Sequence, residues 1–585
     1  MCPNARESTS VVENSRTVAG LVASVLAASV ATLSCSSLES IPSAAGTAAA
    51  PGVGPGGASN ASGGGAPQVA PADCNEPHAV RAPLRRLIRF EYNNTVARLL
   101  KLTTRPADAL PGEEQGTGFG NDADSLGVSR LLVDGYRSIA EQIAKDKTAD
   151  AATAIATAGC DPAGMGEAAC AVKFITEFLG NAFRRPATPE DVTAYQGTFD
   201  RGREIGGNFA TGVQAVLARA LQAPQFLYRV ELGETLDAAK NLARPSAYEM
   251  ASRLSYLLWG SMPDDALLSA ARDGKLGTAE GVRAEAARML EDPQAHEVVS
   301  YFHGMLLGTR GIDHLERDAG YYPTFKPGMG ALFRQETEKF LDDVVWNGSG
   351  DLSGIFSAPY TFVNGPLAAF YGLPNVTGDA FQKVTLDGSR RAGLLTQASI
   401  LTVTTPGSRT DPVVRGKWVY TKLLCGKVGD PPPNVPKLPD PVPGQSVRER
   451  LATHRAVEPC KTCHTLMDPI GFGFEHYDGV GLWREQDDGL AVDDSGEVVG
   501  TDVAGPFHGV VELGQKLAQS QDVRSCFVGN WLTFAYGRAE TPADACSRSS
   551  LEKAFAESGG NVKALLLALT QTDAFLYRPI VVPGL

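Results

Sequence analysis

The stretch from Gly429 to Gly444 reads GDPPPNVPKLPDPVPG. Each proline lacks an amide hydrogen and holds φ near about −65°. Such a run can neither continue a helix nor sit inside a sheet, and is expected to lie as an extended, polyproline-like strap. It divides the 585-residue chain into a large body, from about Leu84 to Cys425, and a smaller C-terminal region. A chain of this length exceeds what one hydrophobic core serves. The expected division is 1–34 signal peptide, 35–83 tether, 84–240 N-terminal helical domain and 241–385 central helical domain. A connecting segment with the strap, 386–445, and a C-terminal region, 446–585, complete it.

Within the body, apolar residues recur at helical spacing. LLVDGYRSIAEQIAK places Leu131, Leu132, Tyr136, Ile139 and Ile143 on one stripe. CAVKFITEFLGNAF does the same with Val172, Phe174, Ile175, Phe178 and Leu179. ALFRQETEKFLDDVVW turns Leu332, Phe333, Phe340, Leu341, Val344 and Val345 inward. Strand-like alternation is scarce, and the Gly/Asp-rich GLAVDDSGEVVGTDVAG (from Gly489) is expected as a hairpin or surface loop. The fold class is mainly α.

A net charge of −13 lacks the electrostatic footprint of a nucleic-acid binder and gives no attraction to an anionic membrane surface. The sequence contains no GxxxxGK[ST], no GxGxxG after a strand, no HExxH and no GxSxG.

VAGLVASVLAASVATL, from Val18 to Leu33, lies behind a region carrying Arg6 and Arg16, the layout of a secretory signal. It ends at Leu33-Ser34-Cys35, which resembles a bacterial lipoprotein cleavage site with Cys35 as the lipidated residue. Ordinary signal-peptidase cleavage nearby is the alternative. Either way the protein is expected in the periplasm or anchored to the outer membrane, with any membrane attachment made through that lipid alone. Ser40 to Ala72 carries no charge and is dominated by Gly, Ala, Pro and Ser, the composition of a flexible tether.

Setting aside Cys2 and Cys35, the cysteines are Cys74, Cys160, Cys170, Cys425, Cys460, Cys463, Cys526 and Cys546. Disulfides fit an exported protein, and spacing suggests local pairs, Cys160–Cys170 and Cys526–Cys546. Cys74 and Cys425 would then be left for each other.

Cys460 to His464 reads CKTCH, the attachment signature of a covalent c-type haem. Two thiols three residues apart can meet two vinyl groups on one porphyrin edge, and the adjacent histidine then faces the iron. Cys460 and Cys463 could instead close a small disulfide, or bind zinc with His454 and either Cys425 or His464. Adjacent side chains such as Cys463 and His464 seldom converge on one tetrahedral ion.

HRAVEPCKTCHTLMDPIGFGFEHYDGVGLWRE, from His454, resembles the signature of the planctomycete-type cytochrome-like family, exported bacterial proteins built from consecutive domains of unknown function. RRLIRFEYNNTVARLL (from Arg85), FRRP at Phe183, LQAPQFLYRVE (from Leu221) and RLSYLLWGSMPDDALLSAA (from Arg253) are similar to further segments of that family. So are FVNGPLAAFYGL (from Phe362), GLLTQASILTVTTPGSRTDPVVRGKWV (from Gly393) and FAYGR at Phe534. The resemblance implies export, one covalent haem c at the CxxCH, a cytochrome-c-like C-terminal region and no settled activity.

With haem bound, Cys460, Cys463 and His464 hold it. The only methionine after His464 is Met467, one helical turn on and therefore on the same face. The second axial ligand is expected from His454, with His476 and His508 as other candidates. A five-coordinate iron open to a small ligand is the further alternative. Arg409 or Arg415 is expected to partner the haem propionates; capping and surface ion pairs are the alternative for both. Asp468, Pro469, Gly471, Gly473, Gly479 and Gly481 read as turn-builders, and Glu475, Asp478 and Arg484 as an ion pair or caps in a compact loop. The expected function is electron transfer, or a haem-dependent oxidoreductase step coupled to a substrate or redox partner on the helical body. The alternative is an envelope scaffold or binding module in which CxxC is a disulfide or metal staple.

Overall fold

A computed structural model describes residues 74–407, 409–429, 444–455 and 460–581, without the side chains of 453 and 454. The expected signal peptide, Cys35, most of the tether, most of the proline strap and the His454 side chain lie outside the described residues. The chain forms two compact units.

One unit comprises, of the described residues, Tyr136–Gly180 and Pro186–Ala223. Its centre is a helical hairpin. Thr188 and Asp191 exchange side-chain to backbone hydrogen bonds and start the helix Pro189–Gly206. Gly207, at φ 76°, ends it, and Asn208 caps the return helix Phe209–Ala220. The helices touch where Gly202 faces Thr211 and Gly212, so closely that a Cβ on Gly202 would lie 2.7 Å from the Thr211 carbonyl oxygen. Cys160 and Cys170 are joined as expected. Val172 is 37% exposed, outside the buried stripe expected of it.

The second unit comprises Cys74–Gly135, Asn181–Arg185 and the chain from Pro224 onward. It too is helical. Among the described residues strands pair only as two-stranded antiparallel sheets. The Gly/Asp-rich stretch forms a hairpin, as expected, with Ser495–Val498 on Gly505–His508. Phe333, Phe340, Leu341, Val344 and Val345 are buried, as their spacing requires. Leu131 is 69% exposed, because the stripe of its helix is carried by Leu132 and Tyr136 instead.

The proline-rich stretch does not separate two cores. One hydrophobic cluster contains Leu401, Val419 and Leu423 from before it and Ile470, Phe507 and Trp531 from after it. The C-terminal helices thus complete the core of the body. The tether also ends earlier than expected, since Cys74 is disulfide-bonded to Cys546 and Val80 is buried. No helix among the described residues is long and apolar enough to cross a membrane.

Two further disulfide expectations are corrected. Cys526 pairs with Cys425, and Cys546 with Cys74. The helices Gln521–Tyr536 and Ala545–Glu557 run back along each other in a register that sets Ser525 against Glu552, at 2.6 Å. Cys546 lies six residues before Glu552 on its helix, about 9 Å at 1.5 Å per residue. Each thiol is met instead by a cysteine from a distant segment, Cys526 by Cys425 and Cys546 by Cys74.

Candidate functional site

CKTCH opens the helix Cys460–Phe472. Helical spacing puts Cys460, Cys463 and His464 on one side, all partly exposed, and the same side continues down the helix into Met467, Ile470 and Gly471, which are buried. The three disulfides use every described cysteine except Cys460 and Cys463, which are free thiols. Cys425 is committed to Cys526, so the zinc set that would have used it is lost. No group of three or more His, Cys, Asp and Glu among the described residues could hold a metal ion.

His464 Nδ1 lies 2.9 Å from Asp468 Oδ1. Asp468 is completely buried, and burial pushes its carboxyl up, against the downward pull of His464 and then Arg455. This partner was missed because Asp468-Pro469 reads as a turn. The signal available was the i, i+4 spacing of His464 and Asp468 on a continuing helix. The helix accommodates Pro469 because the carbonyl it cannot serve belongs to Thr465, an exposed residue within reach of water.

A second helix, Pro412–Trp418, crosses this one at backbone contact. A Cβ on Gly416 would fall 1.8 Å from the Met467 carbonyl oxygen, and one on Gly471 would fall 1.8 Å from that of Pro412. Gly471 is therefore a contact residue inside a helix and not a turn-builder, and Asp468 and Pro469 are helical too. The crossing positions Arg415, which is wholly buried. Its guanidinium donates to the carbonyls of Phe474 (3.1 Å), Tyr477 (3.0 Å) and Asp478 (2.7 Å). Burial lowers its pKa, with Glu475 at 3.7 Å acting in the opposite sense.

The loop after the helix is compact, as expected. Arg484 pairs with Glu475 at 2.9 Å, and Thr410 donates to the same carboxylate at 3.0 Å. Asp478 accepts from the amides of Val480 and Leu482. Of the two propionate candidates, Arg415 spends its donors on the loop, whereas Arg409 is a surface residue paired with Asp488 at 2.6 Å. His476 stacks on Trp483 at 4.4 Å with Nδ1 on the Arg484 carbonyl oxygen. His508 is exposed, with Asp494 3.6 Å from its Nδ1.

The fold defines a mainly α-helical protein with three disulfides among the described residues, a bonding pattern suited to an oxidising compartment. Comparison with family models finds five domains in succession, each described as a protein of unknown function: DUF1587 at 85–149, DUF1595 at 170–231, DUF1592 at 246–373, DUF1588 at 391–487 and DUF1585 at 505–575. The chain belongs to the planctomycete cytochrome-like family that carries this series. The DUF1588 match spans the proline-rich stretch and includes Arg415, Cys460, Cys463 and His464. No curated protein and no solved structure matches the chain.

Proposed function

We propose that this chain is an exported c-type cytochrome with one covalent haem, held through thioethers at Cys460 and Cys463 and by His464 as proximal ligand. One observation carries the reading: the only described cysteines outside disulfides are the two of the CxxCH, on one helix with His464. The donor set fits the group. Asp468 holds Nδ1 of His464, so iron would bind through Nε2, and the buried carboxylate fixes the ring and raises its basicity. Bound there, the haem would supply a one-electron couple. His454, six residues before the start of the helix Cys460–Phe472, is the proposed distal ligand, and Arg409 the proposed propionate partner. The function is electron transfer, or a redox step on a substrate bound by the helical body, with a redox partner in the envelope. Cleavage before Cys35 would add a lipid anchor.

The protein is purified from a host with cytochrome c maturation machinery and stained for haem after denaturing electrophoresis. A stained band is expected, lost when Cys460→Ala and Cys463→Ala are combined. An unstained wild-type band would leave the family fold with a non-haem CxxC, the scaffold reading. Conversion of a low-spin to a high-spin spectrum by His454→Ala would assign the distal ligand, whereas a high-spin wild type would remove His454 from that role.

A further inference from the structure

A cavity of about 40 Å³, partly open to solvent, lies in the larger unit far along the sequence from the CxxCH. Arg85, Arg229 and Arg253 line it, each drawn from a different family domain, 85–149, 170–231 and 246–373. Arg85 and Arg229 come together because their short strands pair, residue against residue. With the adjoining Arg578, four guanidiniums share two buried carboxylates, Glu91 and Glu231. The nearby carboxylate of Glu249 is committed to the amides of Leu232, Gly233 and Ser246.

The four arginines are not equally satisfied. Arg253 donates twice to Glu231, at 2.9 and 2.6 Å, and once to the Phe575 carbonyl. Arg85 donates to Glu91 at 2.5 Å. Arg578 donates to the carbonyls of Pro579 and Glu231. Arg229 makes no side-chain hydrogen bond among the described residues. Its nearest carboxylate oxygen, on Glu231, is 4.0 Å away, its side chain is only 11% exposed, and its Nε is buried without a partner. The Arg85 Nε is likewise buried and unpartnered. Burial lowers the Arg229 pKa to about 10, the neighbouring Arg85 adding to the effect. A buried guanidinium without an acceptor is costly. An anion in the cavity would meet the terminal nitrogens of Arg229, which unlike its Nε are not sealed off, and would supply the missing charge. Pro83, Ala535, Ala574 and Phe575 add apolar lining.

We propose that this cavity binds a small organic carboxylate, its carboxyl group forked on Arg229 and its hydrocarbon part against Ala535, Ala574 and Phe575. Arg229 would be the anchor and Arg253, already saturated by Glu231, the support that keeps Glu231 from folding back onto it. The site does not depend on haem attachment.

The test is calorimetric titration of the full chain with butyrate, succinate and inorganic phosphate. Butyrate or succinate should bind with one site per chain, and phosphate at least tenfold more weakly. Arg229→Gln should weaken carboxylate binding tenfold or more. Ala574→Leu, which enlarges the apolar lining and leaves every charge in place, should do the same, so that loss of binding can be separated from misfolding of the Arg229 variant. Circular dichroism of both variants checks the fold. Absence of carboxylate binding at millimolar concentration would overturn the proposal. So would tighter binding of phosphate, which would make the cavity an inorganic anion site, or unchanged binding in folded Arg229→Gln.

Discussion

His464 and Asp468 face each other across one turn of helix, with Nδ1 2.9 Å from Oδ1 and the carboxylate completely buried. In the proposed haem site, negative charge on Asp468 at that distance from His464 would favour the more positive state of the iron. Asp468→Asn keeps an oxygen acceptor and removes the charge. The reduction potential should therefore rise, by on the order of 50 mV, about one tenfold in a one-electron equilibrium. Redox titration of the purified variant measures it. An unchanged potential would show that His464 does not ligate the iron.

The crossing of Pro412–Trp418 over Cys460–Phe472 leaves no room for a side chain at Gly471, where a Cβ would lie 1.8 Å from a backbone oxygen. Backbone cannot move aside as a side-chain tip can. Gly471→Ala should destabilise the larger unit by about 3 kcal/mol or more, read as a lower urea midpoint. The same change at Gly489, which meets nothing within 4 Å but has φ 83°, should cost less, about 1 kcal/mol. Equal effects at the two sites would contradict the crossing.

Glu336 is buried, accepting from Thr361 and Tyr371 at 2.6 Å each. Burial pushes its carboxyl from 4.5 up to about 7. Between those values the folded chain holds a proton that the unfolded chain has lost. The stabilisation from this group is complete below about pH 4.5, falls as pH rises and is gone above about 7. The change amounts to roughly 3 kcal/mol at 1.36 kcal/mol per tenfold. Urea unfolding across that window should show the decline, and Glu336→Gln should flatten it. A wild-type curve that rises over the same range through this residue would refute the assignment.

Non-reducing peptide mapping should recover Cys74–Cys546, Cys160–Cys170 and Cys425–Cys526, with Cys460 and Cys463 in none of them. Opening Cys425–Cys526, which closes about a hundred residues, should cost about 4.7 kcal/mol on chain entropy, against about 3 for the short Cys160–Cys170 loop. Recovery of a Cys526–Cys546 peptide would restore the local pairing and contradict the helix register.

Much of the molecule follows from local chemistry written along the chain. Apolar spacing determined the helices, because a stripe at 3.6-residue period has one way to be buried. Gly and Asp in the 489–505 stretch determined its hairpin. The spacing in CKTCH determined that both thiols and the histidine share one helical side. Tertiary structure decided what depends on which distant segments meet. Spacing favoured Cys526–Cys546, but the antiparallel register of two helices carried those thiols apart and brought Cys425 and Cys74 to them. The Asp-Pro after the motif reads as a turn in sequence, but beside the exposed Thr465 and a backbone-close neighbouring helix the chain continues as helix, and only that helix places Asp468 under His464. The arginines at 85, 229 and 253 carry no common pattern in sequence. They share a cavity because strand pairing and core packing bring Arg85 to Arg229 and Arg253, more than a hundred residues further along the chain, and a one-dimensional sequence records none of those distances.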